Sequence, residues 1–345
     1  MHNRYDIGKA IAAALAMALL IIDNRFAITT VAEGVQMCIQ SVVPALFPFL
    51  VLASMLSSSL HGLPKPLLRL FRVSPAGGSV LITGLLGGYP IGAKALSDAY
   101  TQGRISRAEA QRLLPICNQC GPAFLFGMTS LLFRQPHIGF ALWAIQLLSV
   151  LLTAWLIPPC GDTGGNFSES HSLTFPQALN QAIKAMASIC GWIILFRLLI
   201  GCLQRWFLWL MPLPYRIALC GFLELTNGFT ALQSLSDKNL QFLIAAILVS
   251  FGGLCVTMQT LSVLHRDLSS RLYFPGKVLQ TCLCILLVSL LQAKVSLLTG
   301  TSLIVAAGCV LFFRRTKKEV AFSKKMLYND PIKDTRTLLC CSERK

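Results

Sequence analysis

Two clusters of residues could bind a small solute. Gly87-Gly88-Tyr89-Pro90, followed by Gly92 and Lys94, interrupts an apolar run that begins at Val80. Asn118-Gln119, followed by Gly121-Pro122, interrupts the next one. Paired glycines and a proline stop a helix, and the peptide groups freed there need partners. At membrane depth such backbone survives only when it is buried in protein or lines an aqueous cavity. Half-helix N-termini then offer N–H donors and roughly half a positive charge, whereas unwound carbonyls suit a cation. The chemistry indicated is reversible binding of a small solute, with Asn118 alternatively holding a coupling ion such as sodium.

A second pair of interruptions follows the same pattern. The first, CGFLELTNGFTAL, carries Glu224, Thr226, Asn227 and Gly228, and the second carries Ser250, Gly252 and Gly253. For all these glycines the competing reading is close helix packing. Arg197 sits inside the apolar run ILFRLLIG. A charge there is costly and calls for a partner, for which Glu224 is the natural choice; Glu224 could also serve as a proton or cation site. Lys94 and Arg197 could instead extend to the membrane surface.

The elements that must position these residues are apolar helices. Of 345 residues, 54% are hydrophobic and 13% charged, against about 25% charged in soluble proteins. The expectation is an all-α polytopic membrane protein in a lipid bilayer, with about eight crossings of about 20 residues each. Residues 1–34 read as a first transmembrane helix and a loop. Residues 35–157 form a first repeat, with a re-entrant hairpin at 77–103 and a broken helix at 106–133. Residues 63–73 alternate bases with leucines, as a short interfacial helix does. A linker is expected at 158–177. The second repeat is 178–292, with a hairpin at 215–235 and a broken helix at 239–265. A last span at 293–313 precedes a basic tail at 314–345, expected to be disordered and cytoplasmic.

The two repeats share landmarks. Ser41, Pro44 and Phe49 are echoed by Ser188, Gly191 and Phe196; Gly84–Gly92 by Gly221–Gly228; Gly121-Pro122 by Gly252-Gly253. Three crossings separate the halves, so the second is inverted, an arrangement common in secondary transporters. The net charge of +16 does not form one soluble basic face, which argues against nucleic acid. With a cytoplasmic amino terminus, the inner side collects Arg4, Lys9, Lys65, Arg69, Arg72, Lys94, Arg104, Arg107, Arg112, Lys184, Arg266, Arg271, Lys277 and the tail. Only Arg25, Arg134, Arg205, Arg216, Lys238 and Lys294 fall outside, as the positive-inside rule requires. Both termini are then cytoplasmic.

Enzyme and cofactor readings find little support. The thirteen cysteines are scattered through apolar runs as small hydrophobes, and Cys117–Cys120 lacks a second pair at zinc spacing. The histidines (His2, His61, His137, His171 and His265) fall at helix ends or in loops, and no hydrolase, Walker-A or dinucleotide motif occurs.

Gly88-Tyr89-Pro90-Ile91-Gly92-Ala93-Lys94, then Gly103 and Ile105, then Leu113-Leu114, Asn118 and Gly121-Pro122, resemble the YlbJ/SpoVV-type sporulation integral membrane proteins. That family belongs to the nucleoside-recognition (Gate) domain group, similar in plan to concentrative nucleoside transporters. The resemblance runs from about Thr30 to Leu264 and is most specific in the first hairpin. It implies a protein of the mother-cell or outer forespore membrane of endospore formers. The implied role is a transporter of a small anionic metabolite, dipicolinate, out of the mother cell. A nucleoside-type carrier is the rival within that class, and a non-transporting scaffold or sensor the rival outside it.

Overall fold

Prolines and short polar side chains set where the helices start. Pro75, Pro122 and Pro136 stand at first helical positions, where a missing N–H costs nothing. Ser74 and Ser106 accept from Gly77 N and Glu109 N, Asp237 from Asn239 N and Leu240 N, and Thr174 with Gln177 forms a capping box. The computed structural model describes residues 2–59, 63–159, 174–293 and 297–328, and no strand occurs among them. Its helices are α1 (His2–Ile22), α2 (Asn24–Met37), α3 (Val43–Ser59), α4 (Lys65–Phe71), α5 (Pro75–Gly87), α6 (Ile91–Thr101), α7 (Arg107–Cys117) and α8 (Pro122–Phe133). There follow α9 (Pro136–Leu156), α10 (Phe175–Trp206), α11 (Leu213–Leu223), α12 (Leu225–Leu232), α13 (Lys238–Phe251), α14 (Gly253–Val263), α15 (Tyr273–Leu291) and α16 (Leu297–Tyr328).

Among the described residues, seven stretches are long and apolar enough to cross a membrane: Asn24–Leu56, Arg107–Phe133, Pro136–Leu156, Phe175–Trp206, Lys238–Val263, Ser270–Leu291 and Leu297–Thr316. The chain is therefore an all-helical integral membrane protein. The apolar part of α1, Ile7–Ile22, is shorter than these. The loop expected before residue 35 is helix instead. Asp23 is a one-residue joint, and α2 runs into α3 through a π turn at Cys38–Val42. That turn lies just ahead of Pro44, whose ring cannot donate to the helix ladder. Helix also continues through Arg314 to Tyr328, where a disordered tail was expected. Of the linker expected at 158–177, residues 160–173, with His171, lie outside the described residues, as do His61 and the tail beyond 328, and α10 already begins at Phe175.

Short α4 meets α5 at a 79° bend, and Arg72 in the left-handed conformation ends it. One buried guanidinium secures this corner. Arg112 on α7 donates to Phe71 O at 3.2 Å, Arg72 O at 3.0 Å and Ala154 O at 2.8 Å. It thereby satisfies carbonyls at the ends of both α4 and α9, which have no intrahelical donors. Arg112 was expected among the cytoplasmic surface bases; it is 2% exposed.

Candidate functional site

The site is best built from the orphan carbonyls of the first break. Helix α7 stops at Cys117, and α8 restarts at Pro122. Gln119 folds back so that its Nε2 donates to Pro115 O (2.7 Å) and Ile116 O (3.1 Å). Gln146 on α9 donates to Cys120 O at 3.0 Å. The Asn118 amide donates to Thr260 Oγ1 (2.7 Å) and Tyr273 OH (3.0 Å), while its own Oδ1 is buried without a hydrogen-bond partner. The break is thus a bonded polar core, fully enclosed: Asn118 and Gln119 are 0% exposed.

Beside it stands a residue that the sequence reading placed at the cytoplasmic surface. Lys277 on α15 is 1% exposed, and its Nζ donates to Asn118 O, Gln119 Oε1 and Gln280 Oε1 at 3.1–3.2 Å. Gly276 lets α15 come this close. A Cβ built there would lie 2.5 Å from Pro115 Cβ. The sequence did hold a signal: Lys277, Gln280, Thr281 and Cys284 recur at helical spacing and make one polar stripe on an apolar helix.

The first hairpin, α5 and α6, brings its tip to the break. Gly88, at φ +78°, lies against Gly121, and a Cβ on Gly88 would be 2.8 Å from Gly121 N. A Cβ on Gly84 would be 1.8 Å from Cys117 O, and one on Gly92 2.3 Å from the same oxygen. Both hairpin arms therefore seat on the end of α7 by lacking side chains there. Gly87 packs on Ala53 and Ile91. Tyr89 reaches across to the second broken helix, donating its hydroxyl to Val249 O at 3.0 Å. Pro90 closes the tip at the head of α6.

The second hairpin repeats the plan with one chemical difference. Gly221 and Gly228 face each other across its arms, as Gly84 and Gly92 do in the first. At its tip, however, the buried Glu224 carboxylate accepts from Thr226 N (2.9 Å), Asn227 N (2.7 Å) and Asn227 Nδ2 (2.7 Å). The donors at this half-helix start are already occupied by the protein's own anion. Gly252 and Gly253, both at positive φ, make the second break. Gly252 abuts Tyr89, and Gly253 meets the carbonyls of Gly221 and Phe222. Ser250 donates to Ile247 O at 3.0 Å and approaches Thr281 at 3.3 Å.

A cavity of about 40 Å³ lies where the tips and breaks converge, lined by Gly88, Tyr89, Gly121, Glu224, Thr226 and Gln259 among others. A water needs roughly 10–15 Å³ measured this way, so the space admits two or three waters and no organic solute. Asn227 links Glu224 to a wider vestibule of about 350 Å³ lined also by Glu33 and Arg197. A second opening beside it, sharing Gln204, Cys220 and Ala231, adds Arg216.

Of the expected site residues, Gly88, Tyr89, Gly121, Glu224 and Thr226 line the cavity; the others pack behind it, and Lys94 and Arg197 have ion-pair partners of their own. Lys94 pairs with Asp98 one turn along α6, with its side chain 53% exposed. Arg197 pairs with Glu33 on α2 and approaches Asn227 Oδ1 at 3.4 Å. The expected Arg197–Glu224 pair does not form, because backbone and amide donors satisfy that carboxylate first.

The chain is similar to the sporulation integral membrane protein YlbJ of Bacillus subtilis (strain 168), 26% identical over 298 residues that cover 72% of this chain and 73% of the relative. No family model matches the chain, and no solved structure matches it.

Proposed function

We propose that this chain, a YlbJ-type integral membrane protein, is a secondary carrier of a small anionic metabolite, with dipicolinate export during spore formation as its role. One observation carries the reading: two helical-hairpin tips and two broken helices meet around a small cavity lined by Gly88, Tyr89, Gly121, Glu224, Thr226 and Gln259 among others. Discontinuous helices around a mid-depth site are how secondary transporters bind substrate. A carrier built this way must widen the cavity and open it alternately to each side.

The order of elements supports two inverted repeats. Helix α3, short α4, hairpin α5–α6, broken α7–α8 and α9 correspond to α10, a short 3-10 turn at Leu208–Leu210, hairpin α11–α12, broken α13–α14 and α15. The matched glycine pairs, Gly84 with Gly92 and Gly221 with Gly228, strengthen the correspondence. On this reading the termini are cytoplasmic and the membrane is that of the mother cell or outer forespore.

Charge placement favours an anion. Arg197 and Arg216 line the vestibule openings, and the start of α8 at Gly121, which has no side-chain cap, borders the cavity. The Lys277 amine lies behind Tyr89, 5.9 Å from the ring centre. Glu224 in the cavity wall favours a second reading, a neutral hydroxylated solute such as a nucleoside, whose hydroxyls could donate to that carboxylate. Proteoliposomes of the purified protein separate the two. Accumulation of labelled dipicolinate, unaffected by excess nucleoside, is expected. Nucleoside uptake that dipicolinate does not inhibit would establish the second reading, and binding without movement of either would reject a carrier.

A further inference from the structure

We propose that the Lys277 ammonium serves as a tethered ion in a monovalent-cation site at the first helix break, and that the protein consequently works without bound sodium or potassium. The coordination is the starting point. Nζ faces three neutral oxygens, one peptide carbonyl (Asn118 O) and two amide carbonyls (Gln119 Oε1 and Gln280 Oε1), all at 3.1–3.2 Å. Three oxygens around Nζ match in number the three N–H donors of an ammonium. Among the described residues no carboxylate pairs with it, which sets this lysine apart from a buried salt bridge.

The oxygens are held in place before the cation is considered. Gln119 Nε2 is fixed on Pro115 O and Ile116 O. Gln280 Nε2 donates to Gln119 Oε1 at 2.8 Å, and Gln119 Nε2 shares its two N–H groups among Pro115 O, Ile116 O and, at 3.1 Å, Gln280 Oε1; both side-chain carbonyls also lie within reach of Nζ. The Tyr89 ring stands on the other side, an arrangement that suits a monovalent cation. Asn118 adds a second observation. Its Oδ1 is buried with no hydrogen-bond partner, so the break holds one more oxygen than its own bonding requires. Unwound carbonyls of this kind are what broken-helix transporters use to hold sodium; here a side chain of α15 stands in that place.

The ion-site part is independent of transport, whereas the consequence for coupling rests on the carrier reading. The first test is therefore thermal unfolding of the purified full-length protein in detergent, in choline, sodium, potassium or methylammonium chloride at equal ionic strength. Wild type is expected to melt at the same temperature in all four. Lys277→Ala, which vacates the cage, should melt lower in choline and recover by about 1–2 °C in at least one of the smaller cations, the shift for a ligand at a few times its dissociation constant. Lys277→Met, which fills the space without charge, should show no such recovery. A sodium- or potassium-specific rise for wild type, or no cation response in Lys277→Ala, would overturn the proposal. Should Lys277→Ala yield no folded protein, radioactive sodium binding to wild type decides: none is expected, and stoichiometric binding refutes it. Uptake by wild-type proteoliposomes in choline alone should then match the rate in sodium. A rate that needs sodium overturns the coupling claim, while absence of uptake in every salt bears on the carrier reading alone.

Discussion

Glu224→Gln is the most informative single perturbation of the cavity wall. The carboxylate accepts three N–H groups at 2.7–2.9 Å, two from backbone at the start of α12 and one from Asn227. A glutamine has one carbonyl oxygen and places an NH2 opposite the other donors. At least one bond is lost, and the survivors become neutral. Hydrogen bonds to charged groups contribute about 1.5–3 kcal/mol and neutral ones about 0.5–1.5, so the substitution should cost roughly 2–3 kcal/mol. Thermal unfolding in detergent should fall by about 3–4 °C, taking about 2.1 cal/mol/K of unfolding entropy per residue, or about 1.4 °C per kcal/mol for this chain. Glu224→Ala, which removes the cap altogether, should fall further. A Glu224→Gln protein as stable as wild type would refute the idea that this carboxylate is committed to the second hairpin tip.

Four other substitutions probe separate parts of the structure. Gly84→Ala would place a methyl 1.8 Å from Cys117 O; because backbone faces backbone there, folded protein in the membrane fraction should be lost, as measured by detergent size-exclusion. Arg112→Leu leaves the carbonyls of Phe71, Arg72 and Ala154 without their donor; at about 1–3 kcal/mol for each unsatisfied group, it should sharply lower yield and thermal stability. Lys94→Ala removes only an exposed pair, so its unfolding midpoint and uptake should match wild type, the change being within about 0.5 kcal/mol. Tyr89→Phe removes the donor to Val249 O and should cost about 1 kcal/mol, with a changed uptake rate because it loosens the contact between the first tip and the second break.

The interruptions were legible because glycine and proline act through local backbone chemistry. Both hairpins and both breaks lie close to where Gly88, Pro122, Glu224 and Gly252 indicated. Residues 24–34 were misread because Thr29, Thr30 and Glu33 resemble loop composition. They form helix because α2 packs on α10, with Gly34 against Ile194 and Gly201 against Thr30. The buried cations were the larger omission. A basic residue near the end of an apolar run can reach the membrane surface or turn inward, and only the neighbouring helix decides. For Arg112 the deciding partners are carbonyl groups distant in sequence. For Lys277 they belong to a break some 159 residues earlier. Glu224 was assigned the wrong partner for a similar reason: glutamate is not among the favoured helix-capping residues, and an arginine in the same half looked like its natural match.

The cavity between the tips is tested most directly by ligand protection of a residue in its wall. Thr226→Cys, reconstituted in proteoliposomes, should react with a small thiol reagent faster than the unsubstituted protein, as the site opens during its cycle. Saturating dipicolinate should slow that reaction to the background rate of the native cysteines. A Thr226→Cys thiol that reacts equally fast with and without dipicolinate, while the ligand demonstrably binds elsewhere on the protein, would contradict the placement of the site.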